Sequence, residues 1–378
     1  MIKSLNRPAL EDALPRAGLN QSTVAKKLGV SREAVRKWFS GISIPEPDKL
    51  LRLGMLLGLS FDELAITEVR SAVPIVSFRR KSGRITRDSH LDAERERGEL
   101  LKRLVPYLPD QSLSEAPVLK EPRCEYDYIQ KAAAQIRSEM NLKLDVPIRY
   151  TDLISMFNRL HAVIVPVLWG EQHHHGNALN IYLPDSGITW IFLNLDSNLI
   201  DFKFWMAHEL GHALVPKMVG DEAEDFSDAF AQALLFPEEL ACNLRKDLLR
   251  QASVGARVNA IKKKAKALLI SPLTIRLGIE YYEKARGLPV TDMGMSNSFM
   301  GATTNFCKEY EALAEVLFDS IPPEPAEYAA IGRKAFGSQF FDGLAAFCKA
   351  EGGAEHYVHE ILGLPLSDAK ALAEVLGK

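Results

Sequence analysis

The stretch FWMAHELGHALV, residues 204–215, carries two histidines four positions apart, His208 and His212, with Glu209 beside the first. On an α-helix, positions i and i+4 project from one face in adjacent turns. Two imidazoles so placed can share one tetrahedral zinc, and the neighbouring glutamate can reach a water at the same centre. Zinc makes such a water more acidic and polarises a peptide carbonyl, while Glu209 is the base that takes the proton and returns it to the leaving amine. The other residues here are Phe204, Trp205, Met206, Ala207, Leu210, Ala213 and Leu214. The helix is therefore read as buried, and buried imidazoles need partners. Gly211 costs about 1 kcal/mol relative to alanine in a helix interior, so another backbone or a sheet is expected to pass close to it.

A third ligand is sought downstream. DEAEDFSDAFAQALLFP (221–237) reads as a helix whose apolar stripe is Phe226, Ala229, Phe230, Ala233 and Leu234. Glu224 and Asp228 are four apart and share a face. Glu224 is expected to complete the metal set, and Asp228 to orient a ligating histidine through its other ring nitrogen. The cluster Asp221, Glu222, Glu224 and Asp225 also suits a solvated helix N-terminus. That alternative explains Glu222 but not Asp228, which stands among apolar residues; Glu222 is the substitute ligand.

Outward from this site, the chain of 378 residues suits two or three domains, with 47% hydrophobic and 25% charged residues as in a soluble globular protein. A net charge of −3 exerts no global pull toward nucleic acid, so any DNA-binding face must be local. Cys124, Cys242, Cys307 and Cys348 lie far apart, which argues against a disulfide framework and a thiolate zinc site. No apolar run reaches membrane-spanning length and the N-terminus lacks the apolar core of a signal peptide, so a cytoplasmic protein without membrane contact is expected. HAVIVPVLW, NALNIYLP and TWIFLNL carry strand signals suited to a small sheet. VPIVSFRR (73–80) reads as a strand, 88–108 as a charged helix and 109–123 as a linker. The run His173–His174–His175 is assigned to an exposed loop, because successive side chains on a loop or strand diverge. Tyr281, Tyr282 and Arg276 are open candidates for stabilising an oxyanion.

HELGH, followed by EDFSDAFAQALLFP from Glu224 through Asp228 to Pro237, resembles the ImmA/IrrE family of zinc metallopeptidases. The likeness also takes in TWIFLNLD and ALLISPLTIRLGIEYY (267–282), covering about residues 126–285. One departure is Asp228, where asparagine is commoner. The resemblance implies a gluzincin-like core with one Zn2+ per chain, held by His208, His212 and Glu224 with Glu209 as catalytic base. It also implies a narrow cut in a helix-turn-helix repressor that relieves repression in stress or mobile-element control. TWIFLNLD would then rim the cleft, and an extended substrate would pair with it.

At the other end, LNQSTVAKKLGVSREAVRKWFSG is similar to the XRE type of helix-turn-helix, across residues 17–65. Gly29 makes the turn, Ser31 caps the second helix and Gly41 ends it. Phe39 departs from the usual glutamate after the tryptophan. The resemblance implies binding to double-stranded DNA as a homodimer. Gln21, Lys26, Lys27 and Lys37 would meet phosphates, and Arg32, Glu33 and Arg36 base edges in the major groove.

The expected architecture is α+β and mostly helical: a five-helix helix-turn-helix domain (1–68), a connecting strand, helix and linker (69–124), a peptidase core with a small sheet (125–289), and a helical C-terminal region (290–378). The competing reading is a DNA-binding regulator whose peptidase-like domain senses a metal, ligand or partner without turnover.

Overall fold

The structure is a computed structural model that describes residues 3–40, 43, 45–67, 72–77, 88–108, 118–170 and 177–378. It divides into two compact units, Met1–Ala72 and Val73–Lys378.

The first unit runs β1 (Lys3–Leu5), α1 (Arg7–Arg16), α2 (Gln21–Leu28), α3 (Arg32–Phe39), α4 (Pro47–Leu57), α5 (Phe61–Leu64) and β2 (Ala65–Thr67). Local signals set its helix ends. The Asn20 side chain accepts from the amides of Ser22 and Thr23, and Thr23 Oγ1 returns the contact to the Asn20 amide. Gly29 closes α2 with φ +66°, a left-handed conformation costly for other residues. Ser31 Oγ accepts from the Ala34 amide at 3.1 Å and opens α3. The helix stops at Phe39 with Ser40 as its cap, while Gly41, expected to end it, lies outside the described residues. Val24, Leu28, Val35, Trp38, Leu53 and Leu57 form the core, and Phe39 is buried with them. An apolar side chain where the family carries glutamate thus serves packing. The antiparallel pairing of β1 with β2 joins the two ends of the unit and was not expected.

The second unit opens with β3 (Ile75–Ser77), α6 (Asp88–Lys102), a 3-10 turn (Val105–Tyr107), α7 (Tyr126–Glu139) and α8 (Tyr150–Arg159). Then come β4 (Val163–Val167), β5 (Ala178–Leu183) and β6 (Ile188–Asn194). Five helices follow: α9 (Leu199–Leu214), α10 (Asp221–Leu235), α11 (Glu238–Leu249), α12 (Val254–Leu268) and α13 (Pro272–Ala285). The chain ends in α14 (Ser296–Cys307), α15 (Leu313–Leu317), α16 (Pro325–Phe336), α17 (Phe340–Ala350), α18 (Ala354–Leu362) and α19 (Leu366–Leu376).

The sheet order is β3-β5-β6-β4, with only the β4–β6 pair parallel. β6 is therefore interior: β5 occupies one side along Ile188–Leu193 and β4 the other along Trp190–Asn194. This corrects the expectation that TWIFLNLD rims a cleft and accepts a substrate strand, because its ladder groups are already paired. Every residue of β6 is buried, the pattern of a strand covered on both faces. The free edge of β4 is closed by side chains, since the Tyr328 hydroxyl donates to Pro166 O and the Ser338 hydroxyl to Ile164 O.

Those two contacts come from the region expected to stand apart. One continuous core includes Leu101 and Leu104 of the α6 segment and Phe340, Phe341 and Leu372 of the C-terminal helices. Segment 311–314 also pairs with the turn that starts α9, through Leu313 N to Ser197 O and Ala314 N to Leu195 O. The separate boundaries drawn at 124 and 289 are thus replaced by one unit. β3, expected in a connecting segment, pairs with β5 in the central sheet.

α9 and α10 pack closely, and Gly211 is the reason they can. A Cβ there would lie 2.9 Å from Ser227 Cα and 3.1 Å from its Cβ. Backbone cannot swing aside as a side-chain tip can. A Gly211→Val variant is expected to lose about 3 kcal/mol of stability by overpacking, read as a lower denaturant midpoint at unchanged slope; an unchanged midpoint would refute the close approach.

Candidate metal centre and nucleic-acid interface

The pairing of α9 with α10 brings His208, His212 and Glu224 together. His208 Nε2 and His212 Nε2 stand 3.1 Å apart. Glu224 Oε1 is 3.2 Å from His212 Nε2, and Oε2 is 3.5 Å from His208 Nε2. All three possible ligand atoms lie within 4.8 Å of one another, a cluster that could hold a metal ion. Asp228, one turn beyond Glu224, meets the other ring nitrogen of His208, Nδ1, at 2.9 Å. A proton held there leaves the Nε2 lone pair facing the cluster. Glu222 does not join the cluster; its main-chain oxygen lies near Cys124 Sγ at 3.8 Å.

The imidazoles and carboxylates of the cluster strongly perturb one another's protonation. Burial resists a charge on His208, but its contacts with Asp228 and Glu224 outweigh that and raise it to about 10. For His212 burial prevails over Glu224, and its pKa is lowered. Glu224 is held down to about 2 by the two imidazoles despite burial. Glu209 is pushed up to about 8, chiefly by burial. Glu209 Oε2 and Glu224 Oε2 are both buried without a hydrogen-bond partner. Orphaned carboxylate oxygens beside two converging imidazoles make an N, N, O donor set that fits zinc.

Two buried polar residues, one beside Glu209 and one elsewhere on α9, carried no warning in the motif. Asn180, on β5 and 2% exposed, sits beside Glu209 and opposes the rise of its carboxyl, while stopping short of a well-formed hydrogen bond. Its only sequence signal was an amide within an otherwise apolar strand. Lys203, 1% exposed on α9, donates to Leu268 O at 3.0 Å and lies over the Tyr150 ring at 5.2 Å. Burial lowers it to about 8 from an ordinary 10.5.

A lysine depressed on folding penalises the fold while protonated, and the penalty fades where only the unfolded chain still binds the proton. Between pH about 8 and about 10.5 the wild type should therefore gain about 3 kcal/mol relative to Lys203→Met. Denaturant titrations at both ends of that range check this, and a constant difference would refute it. Losing the bond to Leu268 O gives the variant an added cost at every pH.

The remaining candidates are placed as follows. Arg276 bonds Glu280 at 2.7 Å and lies over the Phe299 ring at 4.8 Å, tying α13 to α14. Tyr282 lies against Cys242, and Tyr281 is exposed. The His173–His175 run lies outside the described residues. In the first unit Lys26 and Lys27 on α2, and Arg32, Glu33, Arg36 and Lys37 on α3, are all exposed, with Gln21 half-buried at the start of α2. Glu33 and Arg36 form a bidentate pair at 2.7 and 2.9 Å, which aligns the guanidinium along the open face of α3.

Among known families, a helix-turn-helix model matches residues 12–64. The first unit is thus a helix-turn-helix domain, a fold that supports DNA binding. Neither the curated proteins nor the solved structures give a match to this chain. No helix among the described residues is long and apolar enough to cross a membrane.

Proposed function

We propose that the chain is a cytoplasmic zinc metalloendopeptidase of the ImmA/IrrE kind fused to a DNA-binding domain, cutting a helix-turn-helix repressor at one site and so relieving repression. The observation that carries this reading is the convergence of His208, His212 and Glu224 beside the unpartnered carboxylate oxygen of Glu209. His208, His212 and Glu224 would hold one Zn2+, with His208 oriented by Asp228. When bound, zinc supplies an acidified water and a polarised substrate carbonyl. Glu209 takes up a proton and passes it to the leaving amine; its raised pKa suits both tasks near neutrality. The helix-turn-helix unit, as a homodimer on double-stranded DNA, would bring the peptidase to a repressor on its operator.

A sensor without turnover is the second reading, and the burial of the site favours it. His208, Glu209 and His212 are each no more than 2% exposed and Glu224 is 9% exposed, which leaves a peptide substrate little access to them. Glu209 separates the two, since a site that only binds metal needs no base. The test is zinc content in protein purified without a metal-affinity step, followed by cleavage assays on candidate helix-turn-helix repressors. Near-zero zinc in folded protein would overturn the peptidase reading.

A further inference from the structure

A chain with a net charge of −3 still holds one long stretch of a single sign. Between Leu248 and Ile279 there are seven lysines and arginines and no aspartate or glutamate. Four of these cations, Lys262, Lys263, Lys264 and Lys266, crowd onto α12 in the second unit. The fold uses the opposite side of that helix: Ile261, Ala265 and Leu268 are buried in the core. At 100° per residue, Lys263 and Lys266 fall on the side away from them and are exposed, in line with the exposed Asn259 and Gly255, while Lys262 is half-buried at the margin of that face. The ion pairs nearby go elsewhere, Arg250 to Asp247 and Arg257 toward Asp292. Among the described residues none joins an acid to the four lysines.

Lysines at i and i+3 or i+4 repel one another. The helix C-terminus repays this for Lys266, within the last turn, but not for Lys262 and Lys263 further back. The face therefore stores repulsion that a polyanion would relieve. From this charge complementarity we infer that α12 is a second DNA-contacting surface, in which Lys262, Lys263 and Lys266 meet backbone phosphates of a duplex. Nucleic acid is favoured over an acidic protein because the same chain carries a helix-turn-helix domain. A duplex held by the first unit is tethered through the chain to the unit that carries α12. Contacts of this kind carry no sequence information and act by releasing counterions. The inference rests on the DNA-binding part of the proposed function.

The experiment is the salt dependence of binding to a fluorescent duplex of arbitrary sequence, using the full chain. The triple variant Lys262→Gln, Lys263→Gln, Lys266→Gln keeps good helix formers in place. The slope of log K against log salt should flatten by about 2 to 3, from about 0.9 per lost phosphate contact. Affinity at about 0.1 M salt should fall at least tenfold. A control removing the scattered lysines Lys308, Lys349 and Lys370 should leave both unchanged. An unaltered slope in the α12 variant overturns the inference, as does an equal loss in the control, which would mean bulk charge alone. Loss of binding to poly-glutamate with the duplex unaffected assigns the face to an acidic protein and also overturns it. Arg32→Ala with Arg36→Ala separates the two readings. If this pair abolishes duplex binding while the lysines have no effect, only the α12 inference falls. If the wild type does not bind duplex, both do.

Discussion

A Glu209→Gln variant is expected to keep one zinc per chain and to lose repressor cleavage by about 10³-fold, within the range general acid–base catalysis supplies. The substitution is nearly isosteric, and size matters because Glu209 is 1% exposed in a close-packed helix face. The amide cannot accept and then deliver a proton, so the chemical step loses its base while His208, His212 and Glu224 are untouched. Its fold should hold as well, because a carboxyl already pushed up by burial gives up little when replaced by a neutral group. The informative readout pairs zinc content with a single-turnover cleavage rate on a candidate repressor. Zinc retained with cleavage lost is the enzyme. If wild-type rates persist in the variant, Glu209 is not the base. Full regulatory activity in cells from a variant that cannot cut would instead establish the sensor.

Replacing His212 by alanine is expected to take zinc from one per chain to near zero, and to abolish the stabilisation that added zinc confers on the wild type. Ligand binding to the native state raises stability by RT ln(1 + [L]/Kd), about 4 kcal/mol at a thousandfold excess over Kd. With only His208 and Glu224 remaining, two of the three proposed ligands are too few to retain a zinc ion. His212 is a cleaner choice than His208, because His208 also holds Asp228 at 2.9 Å and its loss would disturb a second contact. Elemental analysis and melting curves with and without zinc read the result. A variant that still binds one equivalent would place the metal elsewhere.

The closed edge of β4 bears on how a substrate could enter. β6 is flanked on both sides, and Tyr328 and Ser338 occupy main-chain acceptors along β4. A peptide adding to the sheet would have to displace part of the C-terminal region or use β3. The region 290–378, which carries no motif, thus helps decide which strand edges are free.

What could be read along the chain was whatever depends on near neighbours. The 3.6-residue period puts His208 over His212 and Glu224 over Asp228 in any helix, whatever surrounds it. Asn20, Gly29 and Ser31 likewise set helix ends through bonds to residues two to four away. Even the Gly211 contact was foreseeable, because a glycine in an apolar helix interior needs a reason. The elements of the sheet were legible as well, from their β-branched and apolar runs.

The order of the strands was not. A strand buried on both faces looks the same whether it is central or at an edge, since its pairing is made by main-chain groups common to every residue. TWIFLNL therefore could not announce that β4 and β5 would flank it. Asn180 and Lys203 are polar residues whose meaning comes from partners contributed by distant segments, Glu209 and Leu268 O. The lysines of α12 look like an ordinary solvated run until the packing of Ile261, Ala265 and Leu268 determines which way they face. By itself the sequence determined the helices, their caps and the facing of the candidate metal ligands within each. Only the tertiary structure decided which helices meet, which strand edges are closed and which charges are left without partners, because those depend on contacts between segments that local backbone geometry does not encode.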